Sequence, residues 1–238
     1  MSKLISVYDT KLISDKLLYE ITYLPYKMIR TDTPPCENQP DVDMRHSYWT
    51  HQLYNFCPVN NPDYYENAGL ESSNNPIYLD VLGYLEAKCP DLPPRAHLYS
   101  AYINVLKYGN SPAVHVDAPY HVDSNKTVLV YLNPEWNWNW GGETMFFDHN
   151  LEAKRIVSFK PGRVVLFDGR LPHLGCAPSA HYLYNRYIMA FKFMDPDVRQ
   201  KLFDKYDMEN HPPVFDMGVM GFSPKVTKQL WENNDAGI

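Results

Sequence analysis

A mainly β fold with flanking helices is what this sequence predicts, and three observations carry the prediction. Between residues 97 and 194 the chain is a succession of short runs rich in Val, Ile, Tyr and Phe, parted by turn residues. That spacing suits an all-β sandwich or barrel. Tyr and Pro are abundant, at 19 and 20 residues, and favour strands and irregular connections respectively. Helical apolar spacing occurs only outside this stretch, before it and after it.

In chain order, residues 11–22, KLISDKLLYEIT, place Leu12, Ile13, Leu17, Leu18 and Ile21 at helical spacing. Residues 31–75 open with TDTPPCENQPDVD and stay rich in Pro, Asn and Asp; they read as one long irregular region of the kind that lines a substrate side. Residues 76–88, PIYLDVLGYLEAK, read as a helix with Pro at its start. The β runs follow: LYSAYINVLKY, KTVLVYLN, ETMFFD, RIVSF, RVVLFD and RYIMAFKF. Turns fall between them at GNSP (109–112), WGG (140–142), KPG (160–162) and DGRLP (168–172). From residue 195 the pattern is helical again, in DPDVRQKLFDKYD. The expected organisation is a helical and irregular region over 1–96, a β domain over 97–194 and a helical extension over 195–238.

At 238 residues and 45% apolar composition the chain can bury a sizeable core. Its net charge of -6 disfavours a dedicated nucleic-acid or anionic-membrane binder. No apolar run is long enough to span a bilayer, and the charged N-terminus lacks a signal-peptide core. Cys36, Cys57, Cys89 and Cys176 are scattered with no C-x-x-C. They read as free thiols in a reducing cytoplasm, the expected location.

Residues 115–123 read HVDAPYHVD, two copies of a His-x-Asp triplet. On an extended chain such a His and Asp point the same way and can hold two positions of one metal ion. One triplet alone is weak, because chance supplies it. A third histidine, His173, follows the strand RVVLFD. Two imidazoles and one carboxylate on one face of an octahedral ion leave the other face open, the facial arrangement of non-haem Fe(II) oxygenases. Either copy, His115/Asp117 or His121/Asp123, satisfies that pattern.

The wider motif string resembles the 2-oxoglutarate- and Fe(II)-dependent dioxygenases, in particular the prolyl-4-hydroxylase-like ones. The resemblance rests on HVD at 115, VLVYLN at 128, GGETMFF at 141, FKPGRVVLFD at 159, PH at 172 and NRYIMAFKF at 185. It covers roughly residues 98–194. It implies a double-stranded β-helix, a jelly roll, with the metal inside one end. It also implies Fe(II) as the metal, 2-oxoglutarate and O2 as cosubstrates, and ascorbate as an accessory. The family's gap between the metal-binding His and the Tyr of Tyr-Leu-Asn reaches Tyr131 when counted from His115, not from His121. The resemblance therefore makes His115, Asp117 and His173 the expected ligands, with His121 in a solvated turn or on the substrate side. Arg186 is the expected anchor for the far carboxylate of 2-oxoglutarate, since a guanidinium grips a carboxylate with two hydrogen bonds; Lys192 is the lesser alternative. Tyr131 resembles a residue that bonds the same carboxylate. Tyr108 resembles one that faces the cosubstrate. Asp117 itself argues for hydroxylation, because related halogenases lack the carboxylate.

The segment PEWNWNW puts Trp136, Trp138 and Trp140 on one face if it is extended; core packing and a substrate-binding aromatic surface both remain open. The function expected is hydroxylation of an organic substrate, first a prolyl residue of a protein or peptide, with release of succinate and CO2. A small molecule or free amino acid is the alternative substrate. A cupin-like metalloprotein would keep the ligands without needing Arg186, and an inactive binding module would need neither. The partner expected is thus the substrate, with no membrane, nucleic acid disfavoured and self-association left open.

Overall fold

Seven strands make one antiparallel sheet and three make a second, and the two face each other as a jelly roll. A computed structural model describes residues 4–31, 46–55, 76–110, 112–118, 120–205 and 223–235. The strands are β1 (Ile5–Asp9), β2 (Lys27–Thr31), β3 (His46–Asn55), β4 (Leu98–Leu106), β5 (Lys126–Tyr131), β6 (Thr144–Phe147), β7 (Ala153–Val157), β8 (Arg163–Asp168), β9 (His173–Gly175) and β10 (Arg186–Phe193). The helices are α1 (Asp15–Thr22), α2 (Ile77–Lys88), α3 (Pro196–Lys205) and α4 (Pro224–Asp235). The large sheet runs β1-β8-β5-β10-β4-β3-β2 and the small one β7-β6-β9.

β10 is the central strand and is buried on both faces, which is why RYIMAFKF reads as a continuous apolar run rather than an alternating one. Its alternate residues still serve two cores. Met189, Phe191 and Phe193 face outward into a cluster closed by Leu17 and Ile21 of α1 and Val81, Leu82 and Leu85 of α2. Ile188 faces inward, with Tyr131, Phe146, Phe159, Val165 and Phe167, into the space between the sheets. Each such fully buried side chain contributes on the order of 1.5–3 kcal/mol. The inward face of β10 also carries Arg186 and Lys192, six residues apart, and the site is built along it.

Local chemistry sets the element boundaries. The periodicity over 11–22 begins a helix too early: α1 starts at Asp15 because Ser14 adopts an extended N-cap conformation and its hydroxyl accepts from the Leu17 N–H at 3.3 Å. α2 begins at Ile77 after Pro76, as expected. α3 follows Asp195, whose carboxylate accepts from the N–H groups of Asp197 and Val198. α4 pins its Trp231 to the small sheet, the indole N–H donating to the Phe147 carbonyl at 3.0 Å.

The N-terminal region departs from the sequence reading. Residues 31–75 were expected to be irregular throughout, yet HSYWTHQLYN forms the ten-residue strand β3, and β1 lines the opposite edge against β8. β3 is decided by its neighbour. β4 offers a row of backbone donors and acceptors, and the alternating side chains of β3 put Leu53 into the outer core. The rest of the irregular stretch, with Cys36 and Cys57, lies outside the described residues. Cys89 and Cys176 are free thiols. Among the described residues no helix is long and apolar enough to cross a membrane.

Candidate metal centre and anion pocket

The segment after β4 returns to the small sheet and pairs with β9 through one bridge. The His115 N–H donates to the His173 carbonyl at 3.0 Å, and the His173 N–H to the His115 carbonyl at 2.9 Å. Two imidazoles more than fifty positions apart are thereby locked side by side, their ring centroids 4.3 Å apart. Asp117 is fixed by its own N–H, which donates to the Gly169 carbonyl at 2.7 Å. His115 Nε2 then lies 3.6 Å from Asp117 Oδ1, and His173 Nε2 lies 3.4 Å from Oδ2. Ligand atoms bound in adjacent positions of one ion at about 2.1 Å sit roughly 3 Å apart. Among the described residues these three are the cluster of histidine and acidic side chains that can hold a metal ion.

Each imidazole is oriented for that role. Nδ1 of His173 lies 2.9 Å from the Leu171 carbonyl, and Nδ1 of His115 lies 3.0 Å from that of Ala113. With Nδ1–H donating, each Nε2 turns its lone pair to the centre. Burial pushes His173 down to about 3, partly countered by Asp117, so its imidazole is neutral at physiological pH. Burial alone would raise the Asp117 carboxyl, but the Lys192 ammonium beside it holds it well below the usual range. Neutral imidazole and ionised carboxylate are the forms a divalent ion requires. The centre opens on one side: the His115 side chain is 31% exposed, whereas those of Asp117 and His173 are 6% and 5%.

At the other end of the β10 inner face lies Arg186, 1% exposed. Its Nε donates to the Gly142 carbonyl at 2.9 Å, and its guanidinium lies over the rings of Phe159 and Tyr131 at 5.4 and 5.9 Å. Its Nη2 is buried with no hydrogen-bond partner. No carboxylate among the described residues forms an ion pair with it, and burial draws it down to about 10. Leaving a cation unpaired in an apolar interior costs several kcal/mol. A guanidinium with a free edge, lying over the Tyr131 ring, has the chemistry to take the carboxylate of an anionic ligand. The Tyr131 hydroxyl donates to Thr144 Oγ1 at 2.7 Å.

Gly142 makes room for this arrangement. Its φ is +83°, and a Cβ there would sit 2.8 Å from Trp136 and 3.1 Å from the Arg186 side chain. Gly142→Ala is therefore expected to destabilise the fold by about 1–3 kcal/mol. A fall in the thermal midpoint of the purified variant checks it; an unchanged midpoint would show that the turn can relax.

The remaining sequence-picked residues scatter. His121 is exposed in a turn, against Tyr120, and does not join the cluster. Tyr108 is 59% exposed beyond the end of β4 and does not join Tyr131 at Arg186. The tryptophans do not share a face, because the chain makes a 3-10 turn at Trp138–Trp140 instead of running extended. Trp136 packs on Phe159 and, with Trp140, around Tyr182, while Trp138 is 89% exposed. Lys192 lies at Asp117, not at the far end beside Arg186. Lys192 and Thr127 are the residues of the centre that the sequence did not single out as such. The available signal was the period-two alternation from Arg186, which puts Lys192 on the inner face.

Residues 103–194 match the family model described as the 2OG-Fe(II) oxygenase superfamily, a group whose name implies Fe(II), 2-oxoglutarate and O2. No curated protein matches the chain. Among solved structures, a prolyl hydroxylase from Trichoplax adhaerens, in complex with a hypoxia inducible factor oxygen degradation domain peptide fragment, is similar with a TM-score of 0.55 at 15% identity. The match covers 84% of this chain and 87% of that one. The non-heme alpha ketoglutarate dependent epimerase SnoN from nogalamycin biosynthesis is similar with a TM-score of 0.50 at 14% identity, over 81% of this chain and 78% of that one. Such likenesses establish the jelly-roll fold.

Proposed function

We propose, from the match of residues 103–194 to the 2OG-Fe(II) oxygenase family model and from the site, that the chain is an Fe(II)- and 2-oxoglutarate-dependent dioxygenase that hydroxylates an organic substrate, releasing succinate and CO2. The observation that carries the reading is the pairing of two features on the inner side of the large sheet. Two imidazoles and a carboxylate within reach of one ion lie at one end, and a buried guanidinium lacking an anion lies at the other. A metal-binding protein with no anionic cosubstrate has no use for the second feature.

In this reading His115, Asp117 and His173 hold the iron. Iron with 2-oxoglutarate supplies the oxygen activation and the redox chemistry. Arg186 takes the far carboxylate with its free Nη2, and Tyr131 adds its hydroxyl. Phe146, Phe167 and Ile188 line the space between and keep water from it. The open His115 side admits the substrate. The substrate we favour is a prolyl residue of a peptide or protein, supported by the peptide-bound prolyl hydroxylase among the fold neighbours. Ascorbate would keep the iron reduced between turnovers. The regions 1–96 and 195–238 are proposed to frame the substrate side. β3 brings Thr50 and Gln52 opposite Asn104 and Tyr102 on the inward face of β4, whereas α1 and α2 pack on the outer face.

The test is an anaerobic titration of the metal-free protein with Fe(II) and then 2-oxoglutarate. A weak visible charge-transfer band that needs both is expected. Bound iron with no band on adding 2-oxoglutarate would overturn the reading. Peptides and free amino acids are then compared for succinate formation.

A further inference from the structure

Asp117 is held by more than a metal site requires. Its Oδ2 accepts from Thr127 Oγ1 at 2.6 Å and also contacts the Lys192 ammonium. The ammonium in turn donates to Thr127 Oγ1 at 3.2 Å and lies over the Tyr102 ring at 5.9 Å. Lys192 and Thr127 face one another across the β10–β5 pair, in the middle of the large sheet. The Lys192 side chain is 8% exposed. Asp117 is the carboxylate with which it forms an ion pair among the described residues.

We infer that Thr127 and Lys192 are positioning residues with opposed effects on metal affinity: Thr127 turns Asp117 toward the metal, and Lys192 is a built-in counter-cation that weakens metal binding. The inference rests on the reading of His115, Asp117 and His173 as metal ligands. Both donors converge on Oδ2, so Oδ1 is the oxygen left for an ion. The hydroxyl is neutral and only orients. The ammonium does two further things. It compensates a carboxylate buried on nearly every side, which lets the metal-free chain keep its site assembled. It also places a positive charge beside a site meant for a divalent cation, in an interior where screening is poor. A metal must therefore bind against a charge already satisfied. A side chain that merely filled space here would have no such effect.

The experiment titrates Co(II) into the metal-free full-length chain, following its visible ligand-field bands and the thermal midpoint. Lys192→Met keeps the length and leaves the Thr127 hydrogen bond in place. It is expected to bind Co(II) about tenfold tighter or more, the equivalent of ~1.4 kcal/mol, with a lower midpoint without metal and a larger rise on adding it. Thr127→Val keeps the ammonium and removes the orienting hydroxyl; it is expected to bind about tenfold weaker. A folded Lys192→Met that binds Co(II) equally or more weakly than the parent overturns the inference. Should Lys192→Met fold only with Co(II) present, the counter-cation role is supported. Should it fold in neither state, an unchanged affinity in Thr127→Val overturns the scheme and a weaker one upholds it. A parent chain that binds no Co(II) would instead sink the metal-site reading itself.

Discussion

His173→Ala abolishes 2-oxoglutarate turnover, and His121→Ala leaves it within about twofold. The first loss should exceed the roughly 10–100-fold that disturbing a mere partner of a metal ligand costs; about a thousandfold is the expected order, read as succinate formed per enzyme. His173 does two things. Its Nε2 is one of three donors at the centre, and its backbone makes both hydrogen bonds of the bridge that holds His115 in place. Alanine keeps the bridge and deletes the donor, so the fold should survive while iron retention fails. Circular dichroism and a metal assay separate these. His121 belongs to the second His-Val-Asp copy, but it stands exposed in a turn. Equal losses in the two variants would show that the wrong copy has been assigned to the metal.

Arg186→Met raises the 2-oxoglutarate requirement by roughly two to three orders of magnitude without lowering the stability of the ligand-free protein. The first half follows from truncating one partner of a buried, hydrogen-bonded charge pair, which costs about 2–5 kcal/mol. The second half follows from the state of Arg186 before the ligand arrives. It is a fully buried cation with an unpartnered Nη2 and no ion pair among the described residues. Methionine fills much of the same space without a charge to desolvate, and such replacements are often neutral or stabilising. A residue retained for packing would behave the other way. A destabilised Arg186→Met with an unchanged 2-oxoglutarate requirement would assign Arg186 to the scaffold.

The sequence was most legible where a residue's role depends on its type and on strand alternation. The β runs, the two helices before them and the presence of a His-x-Asp pair with a distant His173 follow from patterns of that sort. Legibility failed where a backbone takes its conformation from a neighbour. β3 reads as loop because Pro-, Asn- and Asp-rich sequence flanks it on both sides and masks the strand preference of Tyr48, Trp49, Thr50 and Tyr54; pairing with β4 realises that preference. The Trp136–Trp140 run promised one aromatic face on the assumption of an extended chain, and a single 3-10 turn removed it.

By itself, then, the sequence determined the mainly β architecture, the donor types for a metal and a cation suited to a carboxylate. Those are statements about chemical kind and periodicity, which a chain carries locally. Only the tertiary structure decided which His-Val-Asp copy meets His173, that Arg186 is left without an anion, and that Lys192 sits on Asp117 rather than beside Arg186. Each of these is a contact between segments far apart in the chain, made by strand register across the sheets. Register is a cooperative outcome of all the pairings at once, and no single segment encodes it.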